Sequence, residues 1–132
     1  MNLNASIFDN LQDYIWGGNT FTPLLGNRAL VALFNSVGFE YVYDFENGRL
    51  PKIESDTQDV SRRTFTLRNL NEINNTQRLD DLLEIVFNQD HFNRDPTKNL
   101  VEAVAQVNLL IQLDGYSLVE NGDRQYKVIH LN

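Results

Sequence analysis

Cysteine is absent from this 132-residue chain, which excludes a disulfide framework and any thiolate metal site and agrees with a reducing, cytoplasmic location. Long apolar runs are absent too. No stretch approaches the roughly 18 residues needed to cross a bilayer, so no membrane contact is expected. The first twenty residues hold two Asp and no Lys or Arg, the wrong charge for a targeting segment. Positive charge is scarce overall: 11 basic against 18 acidic side chains give a formal net charge of −7. A field of that sign repels phosphate backbones, so nucleic-acid binding would need a local basic patch. No repeat or low-complexity segment is present. The length suits one domain over residues 1–132, and a chain of this size buries roughly two thirds of its unfolded surface without a staple.

What remains is mostly helical periodicity. Ile7, Phe8, Leu11, Ile15 and Trp16 recur at helical spacing, capped by Asn4 or Ser6 and stopped by Gly17-Gly18. A second helix is expected from about Leu24 to Val37, with Pro23 in its first turn and Leu30, Val31, Phe34 and Val37 inward. Residues 40–59 read as loop, with a turn at Asn47-Gly48 and Pro51 arguing against a paired strand. Ser61 caps a third helix to about Ile73, with Leu67, Leu70 and Ile73 inward. The fourth, from Thr76, places Leu79, Leu82, Leu83, Val86 and Phe87 on one face. After a polar loop over 88–97, a fifth runs from about Pro96 to Leu113, with Leu100, Val104, Val107 and Ile111 inward, and Asp114-Gly115 ends it.

The tail from Tyr116 to Leu131 reads as a β-hairpin. A two-residue turn at Asn121-Gly122 would oppose Leu118 to Gln125. A three-residue loop of Glu120, Asn121 and Gly122 instead opposes Tyr116 to Tyr126 and puts Leu118 and Val128 on the same apolar face, so it is preferred. The expected fold is mainly α: about five helices, with the C-terminal hairpin packed on the last of them, an ending that also describes a winged helix.

Chemistry is sparse. His91 sits in a polar loop and His130 near the end. They stand 39 residues apart in no ligand spacing, so both read as surface residues and neither a metal nor a cofactor is expected. Ser6 and Ser61 are better explained as caps than as nucleophiles, and Gly17-Gly18 lacks the strand and Lys of a phosphate loop. Asp80, Asp81 and Glu84 read as a solvated helix face. The one basic cluster is Arg62, Arg63 and Arg68, the candidate binding residues. Positive charge at Arg62 and Arg63 opposes the helix dipole, so a compensating anion is expected. Internal pairing with Glu54, Asp56, Asp59 or Glu72 is favoured over an external anion, because three charges in an acidic chain make a small patch.

Four motifs occur in order: Phe34-Asn35-Ser36-Val37-Gly38-Phe39; Ser61-Arg62-Arg63; Leu70-Asn71-Glu72-Ile73-Asn74-Asn75-Thr76; and Asn108-Leu109-Leu110-Ile111-Gln112-Leu113-Asp114-Gly115-Tyr116-Ser117-Leu118. Together, over residues 28 to 130, they resemble the N-terminal accessory domains of abortive-infection proteins of the AbiJ type and related bacterial anti-phage proteins. The 39–61 segment is longer than in that pattern. The resemblance implies a non-catalytic domain, the front part of a longer protein, that contacts an effector domain of the same chain or a homo-oligomer partner. The competing class is a winged-helix nucleic-acid reader, with Arg124 and Lys127 on phosphate. The acids of the fourth helix count against it.

Overall fold

The computed structural model describes residues 1–131. Among these are six α-helices and one antiparallel hairpin: α1 Phe8–Trp16, α2 Asn27–Asn35, α3 Arg62–Ile73, α4 Gln77–Val86, α5 Gln89–Phe92, α6 Leu100–Ile111, β1 Tyr116–Glu120 and β2 Tyr126–His130. The mainly α expectation holds, and the hairpin lies on the late helices, β1 along α6 and β2 along α4. α1 packs chiefly on α3. The core runs through Phe8, Leu11 and Ile15 of α1, Leu30 and Phe34 of α2, Leu79 to Val86 of α4, and Val107 and Ile111 of α6.

Local chemistry sets most boundaries. The Asn4 carboxamide oxygen accepts from the Ser6 amide at 3.0 Å, and Ser61 Oγ accepts from the Thr64 amide at 3.0 Å. Gly17 (φ 86°) and Gly115 (φ 85°) take the left-handed conformation that closes α1 and the turn after α6. At Gly17 a side chain is excluded twice over, because a Cβ would lie 2.1 Å from the Pro23 carbonyl oxygen.

Three boundaries differ from expectation. α2 begins at Asn27, not Leu24, because the Leu25 amide donates to the Trp16 carbonyl at 2.9 Å and ties residues 23–25, which are not helical, to the end of α1. α6 begins at Leu100: Pro96 lies in a turn whose Asp95 carboxylate accepts from the Thr97 amide and hydroxyl, and Asn99 caps the helix through the Glu102 amide. The 88–97 loop contains the one-turn α5, capped by Asn88. On α3 the inward face is Phe65, Thr66, Asn69, Leu70 and Ile73, with Leu67 only partly covered. Residues 40–59 form loop, as expected, pinned by Tyr41, whose ring stacks on Phe39 (5.4 Å) and whose hydroxyl donates to Asn69 at 2.6 Å.

The hairpin keeps the expected apolar face but not the expected partners. Leu118 pairs with Val128, Tyr116 with His130 and Glu120 with Tyr126. The turn is Gly122, Asp123 and Arg124, all at positive φ (74°, 49° and 56°). The observed register lies four residues from the expected one, with Tyr116 opposite His130 and not Tyr126; an even slip leaves side chains on the same face, so patterning cannot choose between the two registers. Tertiary contact chooses: Gln125 bridges to Asn88, and the Gln89 amide donates to the Arg124 carbonyl at 3.2 Å.

Three asparagines clamp distant backbone by the same means. Asn35 donates to the Tyr41 carbonyl (2.9 Å) and accepts from the Tyr41 amide (2.9 Å). Asn74 does this to Leu3 (2.8 and 2.9 Å), and Asn108 to Leu118 (3.0 and 2.8 Å). A carboxamide has the donor and acceptor of a peptide, so each clamp satisfies both polar groups of one residue, Tyr41 and Leu3 in irregular segments and Leu118 in β1. Asn108→Ala strands the amide and carbonyl of the buried Leu118, and each lost partner costs about 1–3 kcal/mol. We expect a drop of at least about 2 kcal/mol in unfolding free energy by urea titration; an unchanged midpoint would remove the clamp from the account of stability.

Candidate functional site

The structure separates the three arginines. Arg68 is bound on both arms by Asp56, at 2.7 and 2.6 Å. Asp56 also accepts from the Ile53 amide. The guanidinium bonds, with that amide, hold the Asp56 carboxyl at about 2. This is the loop-to-helix pairing expected from sequence. Arg62 and Arg63 do not share it, because Asp59 faces Arg49 and Lys52 instead (3.6 and 3.4 Å). Arg62 Nη1 donates to the Leu25 carbonyl at 2.9 Å, and its guanidinium lies over the Trp16 ring at 5.0 Å, so a carbonyl and a π face take the place of the expected carboxylate. Arg63 meets Asp9 of α1 at 3.1 Å, with both side chains at least half exposed, a weak class of pair.

Arg62 and Arg63 open on one cleft of about 770 Å³. Trp16 from the end of α1, Asn27 from the start of α2, Tyr43 and Gly48 from the loop, and Val60-Ser61 ahead of α3 complete its wall. Among the described residues the only charged side chains in that lining are the two arginines. Arg68 faces away, toward Asp56.

A second cleft, of about 660 Å³, surrounds His91. Contrary to the surface placement expected from sequence, His91 is only 8% exposed. The single turn of α5 rolls it and Phe92 inward, and a helix that short leaves no periodic signal. Among the described residues its Nε2 has no hydrogen-bond partner. Burial, with a smaller push from Arg94, lowers its pKa to about 4. Ser36, Asp81, Asp90 and Arg94 lie around it. Among the described residues no group of three or more His, Asp or Glu is placed to hold a metal ion. His130 is exposed, as expected, and stacks on Tyr116 at 4.7 Å.

The acidic face of α4 is only partly solvated. Asp80 holds the Met1 ammonium at 2.5 Å. Glu84 accepts from Lys127 (3.2 Å) and from the Val128 amide (3.0 Å). These carboxylates position the N-terminal segment and β2.

A row of exposed apolar side chains runs along the outer side of α6 and into the helical turn that follows it. Val101 (56% exposed), Leu109 (64%) and Leu113 (76%) follow one another with exposed Ala105 at steps of four. Sequence reading registers only the inner row of this helix. The signal for the outer row is that α6 is apolar nearly all round, with Glu102 its single charge.

His91 and Asp56 act in separate pH windows. His91 has an ordinary value of 6.5 and about 4 in the fold. Between those values the unfolded chain takes up a proton that the folded chain refuses, so stability is full above about 6.5 and falls as pH drops toward 4. Urea midpoints measured across that range should fall for the natural chain and flatten in His91→Gln; equal slopes in both would discount the histidine. Asp56 is held at about 2 against 3.8, so its contribution is present above 3.8 and lost as pH falls toward 2. Asp95, lowered by its hydrogen bonds to Thr97, adds to the same acid step, so Arg68→Ala should diminish the lower step and leave the upper one; an undiminished lower step in that variant would assign it to another group.

Neither a protein-family model, nor a curated protein, nor a solved structure matches the chain.

Proposed function

We propose that the chain is a non-catalytic interaction module of a bacterial phage-defence effector, and that it works by pairing with a second copy of itself through the outer face of α6. The observation that carries the interaction reading is the exposed row Val101, Ala105, Leu109 and Leu113. An apolar row of this length, left uncovered on a folded domain, marks a protein contact. A second copy fits it on charge. The row is a neutral strip on a chain of net charge −7: α6 carries one charged residue, so contact along it brings few like charges together. It fits on shape as well: in an antiparallel two-fold contact the small Ala105 of each copy leaves room for a leucine of the other. The defence assignment rests on the motif resemblance.

No helix among the described residues is long and apolar enough to cross a membrane. The hairpin cations count against the winged-helix alternative, because both turn back on the domain: Lys127 to Glu84, and Arg124 to Gln89 at 3.4 Å.

Sedimentation velocity over a micromolar concentration series should show a dimer. Leu109→Asp or Leu113→Asp should leave a monomer of unchanged helical content and melting temperature, since both residues are exposed. A natural chain that stays monomeric throughout, or a variant that still dimerises, overturns the self-pairing. Plaque counts on a bacterial host expressing the natural gene product test the defence assignment separately. Protection lost in Leu109→Asp is expected, and the absence of any protection removes that assignment.

A further inference from the structure

We propose that the cleft between the end of α1 and the start of α3 is a nucleotide site, taking a phosphate ester that carries an aromatic base. This goes beyond the interaction reading and does not depend on it. Charge is the first argument. In a chain of net charge −7, the charged side chains lining this cleft are Arg62 and Arg63, so an anion enters a locally positive pocket on an otherwise repelling molecule.

Donor geometry is the second. The first helical bond of α3 is made by the Phe65 amide to the Ser61 carbonyl, and the Thr64 amide is taken by Ser61 Oγ. The Arg62 and Arg63 amides precede both and remain as donors at the positive end of the helix. The Arg62 and Arg63 side chains line the same cleft, and the Asp9 partner of Arg63 is exposed enough for a phosphate to displace it.

The third argument is what flanks the donors. Trp16 and Tyr43 line the same cleft, and Arg62 is held against Trp16 by its bond to the Leu25 carbonyl. Guanidinium planes and aromatic rings are the surfaces on which bases stack; with Arg62 already over the Trp16 ring, the Arg62 plane and the Tyr43 ring are the surfaces this cleft offers. Asn27 spends its amide nitrogen on the Gly48 carbonyl at 2.9 Å; among the described residues its oxygen receives no hydrogen bond and can accept from a base amine. The cleft, at about 770 Å³, lies within the usual range for small-molecule sites. Inorganic phosphate would use only the donors; a nucleotide uses both halves.

The chain's single tryptophan, Trp16, reports on this cleft directly. Its intrinsic fluorescence should change saturably when the full chain is titrated with AMP. Adenosine and inorganic phosphate should each bind at least about tenfold more weakly, since each lacks one half of the ligand. Arg63→Gln, at an exposed position, should weaken AMP by about tenfold or more without changing the melting temperature, whereas Arg94→Gln, at the His91 cleft, should leave AMP binding unchanged. A short single strand with a 5′-phosphate separates the two sources of this chemistry: tighter binding than AMP, lost with a 5′-hydroxyl, assigns the site to a strand end, and weaker binding assigns it to a free nucleotide. Absence of saturation with AMP and with the strand at millimolar ligand, inorganic phosphate binding as tightly as AMP, or an unchanged AMP affinity in Arg63→Gln would each overturn the proposal.

Discussion

A carboxamide bonded to both polar groups of one distant residue is the interaction on which the rest of this structure depends. Asn74 fastens the segment before α1 to the corner between α3 and α4, Asn35 fastens the aromatic loop to the end of α2, and Asn108 fastens β1 to α6. Each joint lies where the chain leaves a helix or passes beside one, the places where backbone groups lose their regular partners. The two cleft regions inherit their walls from these joints. The Asn35 clamp starts the loop that carries Tyr43 to the arginine cleft, and the Asn108 clamp seats the hairpin that carries Lys127 to the histidine cleft.

The charge distribution follows the same economy. The acids are numerous, but several are committed within the fold: Asp56 to Arg68, Asp80 to the Met1 ammonium, and Glu84 to Lys127 and the β2 backbone. Commitment of Asp56 to Arg68 leaves Arg62 to a carbonyl and an indole ring. Two arginines at a helix start, where the dipole disfavours them, are thereby held facing a cleft without a carboxylate in its lining. On α6 the shortage of charge has the opposite use, leaving a neutral apolar row on an acidic molecule.

The motifs behind the family resemblance have a structural reading. Phe34–Phe39, Leu70–Thr76 and Asn108–Leu118 each contain one clamping asparagine, and Ser61-Arg62-Arg63 contains a helix cap. Residues that close a fold in this way are constrained by geometry whatever the domain does. Function is better sought in what the clamps leave open: the outer row of α6 and the two clefts.

The sequence by itself determined the helical class, the inward rows of α1, α4 and α6, the Ser61 cap, the left-handed glycines at 17, 115 and 122, and the apolar face of the hairpin. These depend on interactions within a few residues, or on a periodicity that a single segment displays. Tertiary structure alone decided the rest. It set the hairpin register, because registers an even number of residues apart bury the same face and only the contact with Asn88 and Gln89 separates them. It buried His91, because one helical turn carries no periodicity. It assigned the carboxylates, giving Asp56 to Arg68 and Asp9 to Arg63 across 54 positions of chain, because ion pairs form by distance in space, which local sequence does not encode.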